Sequence, residues 1–200
     1  MACERNRILD LIEYLKSLGI DVNLAKNKAR GNKGFFRVKG ENFRIDIAKG
    51  LSEDAILSVL IHETAHFIHY QYDKKLKSLD FILNKCDDDI TEELISITVD
   101  SIPKDSIRHL FEAKENLKLQ IINPILKKRT LNSINNKISR LNRYYNSPTE
   151  LFARSIEAYL MNREKFSKKA PLLLEKYDKA VKEDKIPMLT KISKILFYNI

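Results

Sequence analysis

The spacing of apolar residues divides the chain into a short strand-forming part and a long helical remainder. Between residues 4 and 18, apolar side chains recur every three or four positions, which predicts an amphipathic helix that Gly19 ends. Apolar and polar residues alternate over residues 43–47, and with residues 35–38 this predicts two strands joined by a turn. After Gly50 the spacing is helical again. We therefore expect an α+β fold that is mostly helical, with a small antiparallel sheet packed on the next helix.

Seven further helices are predicted after the sheet. The first begins after Ser52, which can cap it, and extends to about Leu79. The other six have prolines at or near several of their starts, where a missing N–H does little harm, and cover residues 91–101, 106–122, 124–145, 148–163, 171–182 and 187–198. We expect one domain over residues 1–200, with a helical insert at about 87–140 and a helical C-terminal part.

An HExxH pentad, His62 to His66, lies inside the helix that Ser52 opens. Residues four apart share a helix face, so both imidazoles can reach the same point. The chain has only four histidines, and three of them fall within eight residues, which favours a site over a helix that merely carries polar residues. Neutral histidines at this spacing suit Zn²⁺, and Glu63 can act as a general base on water. The sequence predicts one zinc ion per chain, bound by His62 and His66.

A catalytic zinc ion needs a third protein ligand, and three residues are candidates. His69 would lie roughly 10 Å along the helix from His62, and no glycine bends the chain between them. Glu150 opens a separate helix with the small Ala153 one turn beyond, which permits close approach. Glu93 opens another helix after a plausible loop, as does its neighbour Glu92.

Each glutamate also has an ordinary structural explanation. Glu150 could complete a capping box with Ser147 or form an i,i+4 ion pair with Arg154. Glu93 could simply complement the dipole of its own helix. Glu157, two turns after Glu150, is better placed to hold one of the zinc-binding histidines by its other nitrogen. The residues alone leave Glu150 and Glu93 both open as the third ligand.

The two motifs together resemble the gluzincin zinc metallopeptidases, of the type found in the anthrax lethal factor catalytic domain and the clostridial Pro-Pro endopeptidases. In that group an HExxH pentad precedes a tyrosine-bearing segment, a Glu-x-Phe-Ala run and a later Ala-Pro step. This chain has the pentad at 62–66, tyrosines at 144–145, Glu-Leu-Phe-Ala at 150–153 and Ala-Pro at 170–171. The interval between the pentad and the second motif is much longer here.

The resemblance implies a zincin-like endopeptidase that hydrolyses a protein or peptide substrate with a water activated by zinc and by Glu63. It implies that His62, His66 and Glu150 are the zinc ligands. The tyrosine that stabilises the oxyanion in the family lies seven residues before the third ligand, where this chain has Arg143. The adjacent Tyr144 and Tyr145 are therefore the catalytic candidates for that role, followed by Arg143 and Arg154. We also expect the strand at 43–47 to hold the substrate by strand addition.

A weaker likeness to the ImmA/IrrE metallopeptidases rests on the order of strand, helix and pentad, with a histidine shortly after it. It implies an alternative function, a regulatory peptidase that acts on a DNA-bound repressor. A third possibility is a non-catalytic module that uses the zincin shape as a binding platform.

The net charge of +9 is concentrated in two blocks. Eight basic residues lie between Ala25 and Lys49, and no acidic residue occurs between Glu115 and Glu150. Such blocks could face an acidic partner or nucleic acid. A solvated lysine-rich surface is the simpler interpretation, because no aromatic interleaving or known nucleic-acid motif accompanies the charge.

The sequence also excludes several classes of protein. No run of eighteen apolar residues is present, so we expect no membrane span. The charged N-terminus lacks the apolar core of a signal peptide, which predicts a cytoplasmic protein, with secretion by another route or processing from a longer chain left open. Cys3 and Cys86 are too few for a disulfide framework and are expected to be free thiols.

Overall fold

The computed structural model describes residues 2–26, 33–75, 88–101, 104–119 and 124–197. Within these ranges the chain forms three strands and nine helices. In order they are α1 (Ala2–Ser17), β1 (Ile20–Lys26), β2 (Gly34–Lys39), β3 (Asn42–Ala48), α2 (Glu53–Lys75), α3 (Asp88–Ser101), α4 (Lys104–Leu119), α5 (Pro124–Tyr145), α6 (Pro148–Met161), α7 (Arg163–Lys169), α8 (Pro171–Lys182) and α9 (Pro187–Phe197). The mostly helical α+β prediction is confirmed.

The sheet is mixed, which corrects the prediction of an antiparallel one. The predicted hairpin is present, since β2 and β3 pair antiparallel with Phe36 opposite Ile45. However, β1 lies on the other side of β3 and runs parallel to it, giving the order β1-β3-β2. Strand β1 was not predicted, although Ile20, Val22 and Leu24 alternate with the polar Asp21 and Asn23, which are weak strand formers.

The position of β3 also overturns the expectation that it binds substrate. A strand that pairs on both sides has its backbone N–H and C=O groups occupied, so β3 cannot accept another strand. Among the described residues, β1 and β2 are the edge strands.

An aromatic cluster fixes the sheet against α2. The Phe43 and Phe67 rings lie 5.0 Å apart, and Phe36 lies 5.8 Å from Phe67 and 6.1 Å from Tyr70, all in edge-on arrangements. Such pairs prefer this geometry and add to the free energy of apolar burial. Because Phe36 belongs to β2, the cluster holds that edge strand close to the helix with the pentad.

The centre of the core is the packing of α2 on α6. Leu60, Ile61 and Ile68 of α2 and Phe152 and Ile156 of α6 are each no more than 1% exposed. Ala65 and Ala153 are also fully buried, and their small side chains allow the two helices to approach closely.

The predicted insert divides into two different parts. Its first helix, α3, belongs to the core, since Ile90, Leu94 and Ile97 are buried and the helix packs on α6 and α8. In contrast, α4 packs against α5, and α5 continues through residues 146–147 into α6.

Most helix boundaries agree with the prediction to within three residues. The predicted helix 148–163 corresponds to α6, which ends at Met161, and Asn162 then caps a separate short helix, α7, by accepting a hydrogen bond from the Lys165 N–H. The expected end of α2 near Leu79 lies outside the described residues. None of the described helices combines the length and the apolar character needed to cross a bilayer.

Candidate metal centre

The pentad is helical, as its spacing requires, and both of its histidines face the same side of α2. Their Nε2 atoms lie 3.2 Å apart, and the rings are nearly perpendicular. His62 and His66 are 12% and 21% exposed, so both rings are mostly sheltered while their Nε2 atoms converge on one point.

Glu150, near the start of α6, faces this point. Its side chain is 1% exposed, with Oε1 3.6 Å from His62 Nε2 and Oε2 3.5 Å from His66 Nε2. The Arg154 guanidinium lies 2.6 Å from Oε1, which is the i,i+4 pair that the sequence allowed. The carboxylate oxygens also contact His66 and the Tyr144 hydroxyl, so Glu150 is surrounded by cationic and donor groups, although the geometry of these contacts is not that of ideal hydrogen bonds.

The capping-box explanation of Glu150 accounts for only half of what is observed. Ser147 is the N-cap, and its hydroxyl accepts a long hydrogen bond of 3.4 Å from the Glu150 N–H. The reciprocal bond is missing, because the Ser147 N–H donates to the Tyr144 carbonyl instead. The Glu150 side chain is therefore directed to the histidines and not to the cap. A buried carboxylate that is directed at two imidazoles, and not at its helix cap, needs an explanation such as a bound ion.

These three residues could hold a metal ion. One donor atom from each lies within 4.8 Å of the other two. Zinc–nitrogen bonds of about 2.05 Å at tetrahedral angles place two ligand atoms about 3.3 Å apart. The observed separations of 3.2, 3.5 and 3.6 Å are close to that value. Two imidazoles and one carboxylate are also a donor set that zinc commonly takes, with a fourth position left open.

Electrostatics in the site keep Glu150 ionised. Burial alone would raise its pKa, but contact with His66 and the charges of His62 and Arg154 lower the pKa to about 2. For His62, burial alone would lower the pKa, and the hydrogen bond and charge of Glu157 outweigh it, so the pKa is raised. The carboxylates around His62 therefore favour its protonated form.

Glu157 holds His62 by its other ring nitrogen, in the place that the sequence suggested. Its Oε2 lies 3.0 Å from His62 Nδ1, and its Oε1 accepts a hydrogen bond from the Ser58 hydroxyl. A carboxylate at Nδ1 favours the tautomer that leaves Nε2 free for a metal ion. Ser58 was not singled out in the sequence, because a serine one helical turn before a histidine carries no signal of its own.

Glu63 points to the edge strand β2. Its Oε2 accepts a 2.7 Å hydrogen bond from the Phe36 N–H, which faces away from β3. Burial raises the pKa of Glu63, against the opposing effects of both histidines and of this hydrogen bond. The Glu63 carboxylate is thus held by one backbone group.

Gly34 allows β2 to lie close to Glu63 and Val59 on α2. A Cβ atom on it would overlap Val59 Cγ1 and lie 3.0 Å from Glu63 Oε1. The residue at this position must therefore lack a side chain for β2 to pass over α2. The sequence showed Gly34 only as the end of a basic loop, because the close approach depends on the partner helix.

The two candidate tyrosines lie in different surroundings. Burial and the charge of Glu150 raise the pKa of the Tyr144 phenol, which places its hydroxyl near the carboxylate even though the residue is half exposed overall. The Tyr145 ring instead packs against the Arg154 guanidinium, 5.0 Å from its centroid. Arg143, at the position of the family tyrosine, is exposed. Of the three, Tyr144 is the one that the fold brings to the centre.

The remaining candidates lie elsewhere. His69 packs with its ring 5.8 Å from that of Phe152 and is not part of the cluster. The Glu93 carboxylate accepts hydrogen bonds from the Leu172 and Leu173 N–H groups, 3.1 and 2.9 Å long, and so caps the start of α8. Glu92 is exposed. The alternative third ligand on α3 is therefore not placed to bind with the histidines.

Comparison with known proteins gave no match to any family model, any curated protein or any solved structure.

Proposed function

We propose that this protein is a zinc-dependent endopeptidase with a zincin-like fold, in which His62, His66 and Glu150 hold one zinc ion. The observation that carries the proposal is the convergence of both imidazoles and the buried Glu150 carboxylate, whose facing atoms lie 3.2 to 3.6 Å apart. A carboxylate in that position is accounted for when it binds a cation together with the histidines. The order of the motifs, which resembles that of the gluzincins, supports the same assignment.

The residues around the centre support hydrolysis as the reaction. A bound zinc ion would act as a Lewis acid that lowers the pKa of water and polarises a carbonyl group. Glu63 would accept the proton of the attacking water and donate it to the leaving amine. Because burial raises the pKa of Glu63, its carboxyl group is better matched to both steps near neutral pH than an ordinary glutamate.

Tyr144 is the residue best placed to stabilise the oxyanion. Its phenol is protonated at neutral pH and its hydroxyl lies beside the Glu150 carboxylate, where it can donate a hydrogen bond to developing negative charge. Tyr145 would act indirectly, since its ring supports Arg154, which in turn contacts Glu150.

An extended peptide is the substrate shape that suits the sheet. Among the described residues β2 is an edge strand, and the Phe36 N–H on its outer side already reaches Glu63. A peptide paired with this edge would have its backbone beside the base and the metal ligands. We therefore assign substrate alignment to β2 in place of β3.

The test compares wild type with Glu63→Gln, using zinc analysis of the purified proteins and mass spectrometry of a mixed peptide library. We expect one zinc per chain in both, and a loss of cleavage of about 10²- to 10⁴-fold in the variant. Glu53→Gln, in the first turn of the same helix and away from the ligands, is the matched control and should cleave like wild type.

Two results would overturn the proposal. Cleavage by Glu63→Gln at the wild-type rate would remove Glu63 from the reaction. Wild type that binds zinc but cleaves no peptide under any condition would favour the non-catalytic binding module.

A further inference from the structure

Helix α5 presents a continuous polar stripe to solvent. Its residues recur three or four positions apart, which places them on one face of the helix, and all are exposed: Arg129, Asn132, Ser133, Asn136, Arg140 and Arg143. The stripe alternates cationic side chains with neutral polar ones that can donate or accept hydrogen bonds. At a rise of 1.5 Å per residue, it is about 21 Å long.

The opposite face of α5 fixes the rotation of the helix. It carries an apolar seam with the same spacing, in which the residues are buried or half-buried: Leu131, Ile134, Ile138, Leu141 and Tyr145. This seam faces the protein, where α5 packs on α4 and α6. The polar stripe is therefore directed outward by the packing of the helix.

The charge of the stripe is uncompensated along its own helix. Six lysines and arginines and no acidic residue occur in α5, and the acid-free interval extends from Asn116 to Thr149. Within the described part of the chain, Arg129, Lys137, Arg140 and Arg143 form no ion pair. The flanking acidic residues in sequence are Glu115 on α4 and Glu150, which is buried in the candidate metal centre.

The chemistry of this face distinguishes between polyanionic partners. From Lys128 to Arg143, every exposed side chain is lysine, arginine, asparagine, serine or threonine. Helices that bind a membrane surface need large apolar residues to insert below the headgroups, and this face has none. Arginine, asparagine, serine and threonine are, however, the side chains that contact phosphate oxygens in protein–nucleic acid complexes.

We propose that the α5 stripe binds the phosphate backbone of double-stranded nucleic acid without sequence specificity. A face of about 21 Å covers about six base pairs of duplex at about 3.4 Å each. Three arginines along that length match a row of phosphates, and the amide and hydroxyl groups between them supply further hydrogen bonds. The proposal is independent of peptidase activity.

The test measures fluorescence anisotropy of a labelled 20-base-pair DNA duplex of arbitrary sequence, titrated with protein between 50 and 300 mM KCl. Wild type should bind, with an affinity that falls steeply as salt increases. The variant Arg129→Gln/Arg140→Gln/Arg143→Gln should lose at least tenfold in affinity at the lowest salt. Its plot of log affinity against log salt should be shallower by about three.

Two control variants separate this surface from net charge. Lys179→Gln/Lys191→Gln/Lys194→Gln removes the same charge from exposed positions on α8 and α9 and should bind like wild type. Arg129→Lys/Arg140→Lys/Arg143→Lys keeps the charge and should keep the salt dependence. Circular dichroism of each variant checks that the helices are intact.

Three results would overturn the proposal. The first is that wild type does not bind the duplex at 50 mM KCl. The second is that the stripe variant and the α8–α9 control lose the same affinity for the duplex. The third is that wild type binds phosphatidylserine vesicles but not the duplex. The last result would assign the stripe to an anionic membrane surface.

Discussion

The metal centre and helix α5 carry charge in opposite ways. In α6, seven of fourteen residues are buried, including the ionised Glu150. In α5, Ile134 alone is buried among the side chains that the structure describes, and its lysines and arginines from Lys128 onward are exposed. The first region holds few charges, and each faces a partner of opposite charge. The second holds many charges that face water.

This difference indicates what each region can do. A buried charge is strongly destabilising unless it is paired, so the grouping of Glu63, Glu150 and Glu157 with two histidines persists only because the groups satisfy one another or a cation. Exposed charges contribute little to stability, and their number on α5 is not explained by folding. The buried region is suited to holding a metal ion beside reactive groups, and the exposed one is suited to binding a charged partner.

The largest expected effect concerns zinc. Excess zinc at about 1,000 times its dissociation constant should stabilise wild type by about 4.1 kcal/mol, which raises the melting temperature by about 8–16 °C. Glu150→Gln should abolish this shift, because an amide is a poor zinc ligand. Differential scanning fluorimetry with and without zinc measures it.

Glu93→Gln is the matched control for that experiment. It should keep the full zinc shift, since Glu93 caps α8 and lies away from the histidines. A zinc shift lost with Glu93 and kept with Glu150 would contradict the assigned ligand set.

The second prediction tests the comparison itself with one substitution in each region. Ile156→Ala in α6 removes a side chain that is 1% exposed and should reduce the free energy of unfolding by about 3 kcal/mol. Ile138→Ala in α5 removes a half-buried side chain and should reduce the free energy of unfolding by about 1 kcal/mol. Urea unfolding followed by circular dichroism gives both values. Equal losses of unfolding free energy in the two variants would mean that α5 is packed as firmly as α6.

The third and smallest effect concerns the contact of β2 with α2. Gly34→Ala should destabilise the protein by about 2 kcal/mol, because the new methyl group overlaps Val59 and forces β2 outward. Val59→Ala removes the overlapping group, so the double variant should be about 1 kcal/mol more stable than the sum of the single effects predicts. Chemical unfolding of the three variants measures this coupling. Strict additivity would show that Gly34 is not in tight contact with the helix.

Local pattern predicted most of the elements. The β2–β3 hairpin and the start of α2 follow from alternation, turn residues and the Ser52 cap, whose hydroxyl accepts a hydrogen bond from the Ala55 N–H. Strand β1 was missed although its apolar residues alternate with polar ones, because Asp21 and Asn23 are weak strand formers and only pairing with β3 shows the strand. The end of α6 was predicted to within two residues, and the short helix α7 that follows Asn162 was not predicted, because seven residues are too few to show a helical spacing.

The sequence by itself determined the convergence of His62 and His66, because residues four apart on a helix must share a face. It also made Glu63 and Glu157 candidates for the roles beside them. Only the tertiary structure placed Glu150, and not Glu93, beside the two histidines, since both are helix-opening glutamates and differ in what packs against them. It likewise placed the edge strand β2 beside Glu63 and Tyr144 beside Glu150. These choices depend on how separate helices and strands pack together, and no local pattern carries that information.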